Sequence, residues 1–144
     1  MTVATADIVI LTPPPNSKRV AVVRIFNVAN LQPEHGNDRQ GYMRLTGGAA
    51  SYFLLVSQDS GYIWTEGSDI PVRFDMSPVI RRFIPNITPG HRMFGMDVAT
   101  LVSFWLSELT GEWRVGDEEP EKTLASVGFL DQVRGSTVYS ETAA

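Results

Sequence analysis

A proline-rich turn that leads into a long apolar segment is the strongest constraint on the fold of this chain. Pro13, Pro14 and Pro15 stand in a row. Because proline fixes φ and lacks a backbone N–H, such a run fits neither a helix interior nor a central strand. Residues 20–29 beyond the turn are rich in β-branched and aromatic types, which predicts a buried strand. Residues 8–11 predict a second strand, joined to it by a hairpin or a sheet-crossing corner.

Short apolar segments separated by turn signals continue along the chain, roughly ten residues apart. They are residues 42–45, 52–56, 62–64, 70–76 and 79–84. Segment 70–76 alternates between apolar and other residues, with Ile70 and Phe74 on the same face. This spacing predicts an all-β fold, an antiparallel β-sandwich or jelly roll.

Residues 98–109 fit two structures. Their Thr, Val, Phe and Trp content, with a turn signal at the end, favours strands in a hairpin, and this is the interpretation that we prefer. The apolar positions also follow a helical period, with Asp97 as the N-cap and Gly111 beyond the C-terminus. A short helix at 98–109 is therefore the alternative.

The predicted domain organisation is one domain and a tail. Residues 1–115 are expected to form a β-sandwich domain that includes an extended N-terminal arm. Residues 116–144 begin with an acidic linker and are expected to form a C-terminal extension outside the core. An extension of this kind gains order by docking on a neighbouring subunit, for example at the edge of its sheet.

Composition and charge exclude several classes of function. The 144 residues carry 12 basic and 16 acidic side chains for a net charge of −4, and they contain no dense basic run, so nucleic acid is not an expected partner. No apolar run approaches the roughly 20 residues that span a bilayer, and the N-terminus does not resemble a signal peptide. The absence of cysteine excludes thiol nucleophiles and thiolate metal sites.

No catalytic, cofactor or metal site is predicted, and we expect a protein that is not an enzyme. The two histidines, His35 and His91, lie far apart in sequence, and neither accompanies a strained serine turn. Several carboxylates could in principle form a glycosidase pair, but nothing in their spacing brings two of them together. They are Asp69, Asp75, Asp97 and Glu108.

Five residues are predicted to lie at a protein interface. They are Arg73, Arg81, Arg82, Trp64 and Trp113. Neighbouring arginines on a strand point to opposite faces, which favours interface salt bridges over contacts with nucleic acid. Tryptophans bury large areas and are common interface anchors. The alternative prediction is that the tryptophans and tyrosines form a surface on which a sugar stacks.

The stretch from Thr12 to Asn30 is similar to the opening of small β-sandwich virion proteins of tailed bacteriophages. In that family a Thr-X-Pro-X-Gly-Lys-Arg turn leads into a strand that ends near Val-X-Asn. The similarity continues in shorter stretches and covers about residues 8–109. These stretches are Gly47-Gly48, then 52–55, 70–74, 87–93 and 102–106.

The resemblance implies a non-enzymatic virion protein, made in the host cytoplasm, with a capsid decoration or cement role or a tail, fibre or collar role. It implies no cofactor. Its expected partners are further copies of itself and other virion proteins, such as the major capsid protein or a tail protein. The alternative is a carbohydrate- or receptor-binding module that uses the polar loop at 32–41 and the aromatic residues to hold a glycan receptor.

Overall fold

A single mixed sheet of six strands forms the centre of the protein. The computed structural model describes residues 7–38, 50–88, 90–111 and 118–140. The strands are β1 (Ile8–Leu11), β2 (Arg19–Ile25), β3 (Tyr52–Val56), β4 (Ser60–Thr65), β5 (Val72–Asp75) and β6 (Thr137–Ser140). They lie in the order β5-β4-β3-β2-β1-β6. Strands β2 and β3 are parallel, and every other neighbouring pair is antiparallel.

The proline turn connects β1 and β2 as a hairpin, which confirms the first prediction. The backbone N–H of Thr12 donates to the carbonyl of Lys18 at 2.8 Å. In return, the N–H of Lys18 donates to the Thr12 hydroxyl at 2.7 Å. Ser17 adopts a left-handed φ of 37°, which lets the chain reverse after the prolines.

In the described ranges, four α-helices and one 3-10 helix accompany the sheet. They are α1 (Ser77–Phe83), α2 (Gly95–Thr110), α3 (Glu121–Ser126), α4 (Phe129–Val133) and the 3-10 helix Pro33–Gly36. None of the helices in the described ranges is long and apolar enough to cross a membrane.

The two faces of the sheet are buried in different ways. All four α-helices contribute to the core on one face, which we call the helix face. Residues 26–36 cover the opposite face, which we call the loop face. Neighbouring residues of a strand point to opposite faces, so Leu54 belongs to the helix face while Phe53 and Leu55 belong to the loop face. Burial on both sides explains why the central strand β3 is apolar at every position.

Residues 98–109 lie in helix α2, so the preferred hairpin is wrong and the alternative is confirmed. The apolar positions that follow the helical period are all buried, among them Val98, Trp105 and Leu109. Phe104, one of the aromatic residues whose presence favoured strands, is 61% exposed on the other side of the helix. Residues 79–84, also predicted as a strand, lie largely in α1, which has a proline in its first turn.

The six-stranded sheet confirms the β-rich core, but the fold also contains helices and a parallel strand pair. The predicted antiparallel β-sandwich or jelly roll is therefore not confirmed. Within the described ranges there is one sheet, and helices rather than a second sheet cover its helix face. The predicted strand 42–45, the Gly47-Gly48 turn and all of the predicted N-terminal arm, residues 2–7, except Asp7 lie outside the described residues.

The C-terminal region from 118 to 140 belongs to the core, so its placement outside the core is wrong. Leu124, Phe129 and Val133 are fully buried against the helix face. Strand β6 extends the sheet by pairing with β1. The acidic residues predicted a linker outside the core, but Glu121 is 2% exposed and forms an ion pair with Arg82.

Candidate functional site

Polar side chains gather where the two parallel strands end. Strands β2 and β3 run in the same direction, so their carboxyl ends lie at the same edge of the sheet. Asn27 follows β2, while Gln58 and Asp59 lie in the turn between β3 and β4. Crevices at the carboxyl ends of parallel strands are common ligand sites in sheets that carry helices.

Two side-chain amides fasten residues 91–93 to this edge of the sheet. Gln58, which is 7% exposed, donates from Nε2 to the carbonyl of His91 at 2.6 Å and accepts from the N–H of Met93 at 2.7 Å. Asn27 donates from Nδ2 to the carbonyl of Met93 at 2.7 Å. Buried polar groups that are fully hydrogen-bonded fix a local geometry, so this segment is held in one position.

Arg92 is held by three acceptors. Its Nη2 lies 2.6 Å from Oδ2 of Asp59, and its Nη1 lies 3.4 Å from both Oδ1 of Asn27 and Oε1 of Gln58. The Arg92 and Asp59 side chains are 35% and 49% exposed. A pair this exposed contributes little to stability, so its main effect is to orient the guanidinium group.

A cavity of about 320 Å³ opens between helix α1 and this network. We call it the polar cleft. The charged and hydrogen-bonding side chains that line it come from the β3–β4 turn, from α1 and from the loop before α2. They are Gln58, Asp59, Ser77, Arg81, Thr88, His91 and Arg92.

A second notable surface is an apolar strip on helix α2. Met96 is 80% exposed and Phe104 is 61% exposed. Ala99, Thr100 and Ser103, which have smaller side chains, lie between them beside a groove of about 630 Å³. These five residues form what we call the α2 strip. Exposed apolar patches that are rimmed by polar groups mark protein interaction sites.

The predicted interface arginines have different environments. Arg73 is exposed on β5, an edge strand, and Arg81 is exposed in the polar cleft. Arg82 instead makes an ion pair within the chain, with its Nη2 2.9 Å from Oε1 of Glu121. The same carboxylate oxygen accepts from Nε1 of Trp105 at 3.2 Å. Arg82 thus helps to hold α3 against α1 and α2.

Trp64 is a core residue of the loop face, so its prediction as an interface anchor is wrong. It is 1% exposed, and its ring centroid lies 5.7 Å from that of Phe53 and 6.1 Å from that of Tyr62. Trp105, Tyr52 and Tyr62 are also buried. None of these rings can stack on a sugar. Trp113 and Tyr42 lie outside the described residues, and so does part of the loop at 32–41.

The two histidines belong to different parts of the fold. His35 lies in the 3-10 helix, where its Nδ1 accepts from the N–H of Gln32 at 3.0 Å and its ring packs 4.7 Å from that of Phe26. His91 lines the polar cleft. His35 therefore has a structural role in covering the loop face.

The sequence reasoning missed Asn27, Gln58 and Arg92. A signal was present, because Asn27 and Gln58 each follow a buried apolar strand closely. The signal becomes informative only when β2 and β3 are known to be parallel neighbours, since an antiparallel pair would place these side chains at opposite edges of the sheet.

No family model matches this chain, and searches of curated proteins and of solved structures find no significant match.

Proposed function

We propose that this protein is a non-enzymatic structural component of a tailed-phage virion, with a capsid decoration or cement role or a tail or fibre accessory role. In this role it associates with itself and binds other virion proteins. The α2 strip is the observation that carries the self-association. The virion role rests on the resemblance of residues 12–30 to phage β-sandwich proteins.

The α2 strip is complementary to itself. Met96 and Phe104 lie at equal distances along the helix on either side of Thr100. When two copies meet with antiparallel α2 helices, a two-fold axis at Thr100 places Met96 of one copy against Phe104 of the other. Contacts between a thioether and an aromatic ring are favourable, and two-fold dimers are the commonest homo-oligomers.

The centre of the strip has the chemistry of a buried contact. The hydroxyl of Thr100 donates to the carbonyl of Met96 in its own helix at 3.0 Å, so it needs no partner from another molecule. Ala99 and Ser103 are small, which allows two helix backbones to approach closely. Burial of the Thr100 hydroxyl in such a contact therefore leaves no unsatisfied donor at the centre of the strip.

Light scattering coupled to size-exclusion chromatography tests the self-association. We expect the wild-type protein to be a dimer or a larger multiple and Phe104→Lys to be a monomer. Ile70→Lys is the matched control, because Ile70 is 80% exposed but lies outside the α2 strip. A monomeric wild-type protein, or equal dissociation of the two variants, would contradict the proposal.

Mass spectrometry of purified phage particles tests the virion role. We expect the protein to be present at a fixed ratio to the major capsid or tail protein, and we expect Phe104→Lys to lower that ratio. Its absence from particles made in cells that express it would rule out a virion component, even if the isolated protein dimerises.

A further inference from the structure

We infer that the polar cleft binds a small organic carboxylate whose body is apolar. The site is distinct from the α2 strip, so this inference goes beyond self-association. Its volume of about 320 Å³ lies at the small end of the range for ligand pockets, which is about 300–1,000 Å³. The ligand class follows from the charges, hydrogen-bonding groups and apolar walls of the cleft.

The charge of the cleft favours an anion. Asp59 and Arg92 neutralise each other at 2.6 Å. Arg81 also lines the cleft, and its side chain forms no ion pair with any described residue. The cleft thus carries one uncompensated positive charge in a protein whose net charge is −4. Guanidinium groups bind carboxylates in a bidentate geometry.

The cleft also offers hydrogen-bond donors to a bound anion. The hydroxyls of Ser77 and Thr88 line it and make no hydrogen bond to the part of the chain that the structure describes. A guanidinium group has five N–H donors. Since Arg92 has contacts to only three acceptors, it keeps N–H groups for a ligand.

The remaining wall of the cleft is apolar. Ile80 of α1 and Ile87 of the following loop line it, together with Ala29. These side chains cannot bind the hydrated surface of an inorganic ion favourably, but they can bury a hydrocarbon body. The combination of a cationic group with aliphatic walls favours an amphipathic carboxylate over free phosphate.

The site is formed before the ligand arrives. Gln58 and Asn27 already hold the backbone of residues 91–93, and Asp59 already orients Arg92. Binding therefore does not require this segment to become ordered, and the entropic cost of binding is reduced accordingly.

Isothermal titration calorimetry of the full-length protein with benzoate tests the inference, with benzamide as the neutral analogue and inorganic phosphate as the inorganic anion. We expect saturable binding of benzoate at millimolar concentrations and weaker or no binding of the other two compounds. Arg81→Gln should weaken benzoate binding by about tenfold or more, because a charge-assisted hydrogen bond is lost.

Arg134→Gln is the matched control, because Arg134 is a 62% exposed arginine outside the cleft, next to α4. We expect it to bind benzoate as the wild type does, and we expect the same of Phe104→Lys, whether or not the protein dimerises. Absence of benzoate binding, or equal losses in Arg81→Gln and Arg134→Gln, would overturn the inference. Tighter binding of phosphate than of benzoate would overturn the assigned ligand class.

Discussion

The helix face and the loop face of the sheet reach the same degree of burial by different means. Among the described residues, each face contains one fully buried tryptophan, Trp105 on the helix face and Trp64 on the loop face. Regular helices with apolar stripes pack on the first face, whereas the described residues that pack on the second, 26–36, form only one 3-10 turn. The comparison shows that a strand can be apolar at every position whatever kind of structure covers its two faces.

Of the changes that test this comparison, deletion of residues 118–144 should lower the free energy of unfolding most. The deletion takes away β6, α3 and α4, and with them buried side chains that each contribute about 1.5–3 kcal/mol. Their sum is comparable to the whole stability of a small domain, about 5–15 kcal/mol. We therefore expect loss of cooperative unfolding when the truncated protein is titrated with urea and followed by circular dichroism. A cooperative transition would mean that α1 and α2 close the helix face by themselves.

Replacing either buried tryptophan with alanine should cause the next largest loss in the free energy of unfolding. Large-to-small substitutions of this kind cost about 3–5 kcal/mol, and the loss depends on how far the surroundings collapse into the cavity. We expect Trp105→Ala to lie near the upper end, because four packed helices resist collapse. Trp64→Ala should lie nearer the lower end, because irregular chain can move toward the sheet. Urea midpoints of the two variants measure the difference, and a larger loss for Trp64→Ala would reverse the comparison.

The parts of the fold that the sequence predicts are those that depend on local chemistry. The β1–β2 hairpin follows from Pro13, Pro14 and Pro15, because proline restricts its own backbone wherever it stands. Helix α2 was predicted only as an alternative, because its Thr, Val, Phe and Trp content favoured strands, and Phe104, one of these residues, is exposed. Whether an apolar residue is exposed depends on the assembled fold, so the sequence alone does not show that Phe104 lies on the surface.

The parts that the sequence does not predict depend on distant pairing. Helices α3 and α4 have 6 and 5 residues, too few for a hydrophobic period to be recognised. The polar cleft exists because β2 and β3 are parallel neighbours, although more than 20 residues separate them in the chain. Gln58 follows a buried strand closely, but nothing in the sequence around Gln58 or Arg92 shows that β2 and β3 are parallel.

A matched pair of glycine substitutions should give a smaller difference between the faces. A Cβ on Gly61 would overlap the ring of Phe74 on the helix face, and a Cβ on Gly36 would lie 2.8 Å from Cη2 of Trp64 on the loop face. Overpacking costs about 1–3 kcal/mol. We expect a larger loss for Gly61→Ala than for Gly36→Ala, because the 3-10 helix that contains Gly36 can shift outward.

Thermal unfolding of the two alanine variants measures this difference. Phe74→Leu should recover part of the stability of Gly61→Ala, since the smaller side chain leaves room for the new methyl group. Absence of any recovery in the double variant would show that the clash with Phe74 is not what destabilises Gly61→Ala.

The smallest effect concerns Tyr52, at the contact between the sheet and α4. Its hydroxyl donates to the carbonyl of Val127 at 2.9 Å, and its ring packs 5.3 Å from that of Phe129. Burial raises the pKa of Tyr52 above its ordinary value of 10.0. In the interval between the unfolded and folded pKa values the folded protein keeps this proton while the unfolded chain loses it, so stability falls as the pH rises through the interval.

Urea unfolding from about pH 8 to about pH 11 should therefore show a decline above pH 10 that is steeper in the wild type than in Tyr52→Phe. At neutral pH the variant should lose about 1 kcal/mol, which is the net contribution of one hydrogen bond. Parallel pH profiles for the two proteins would mean that the Tyr52 hydroxyl is as well hydrated in the folded state as in the unfolded chain. In that case α4 would pack on β3 loosely enough for water to reach the Tyr52 hydroxyl.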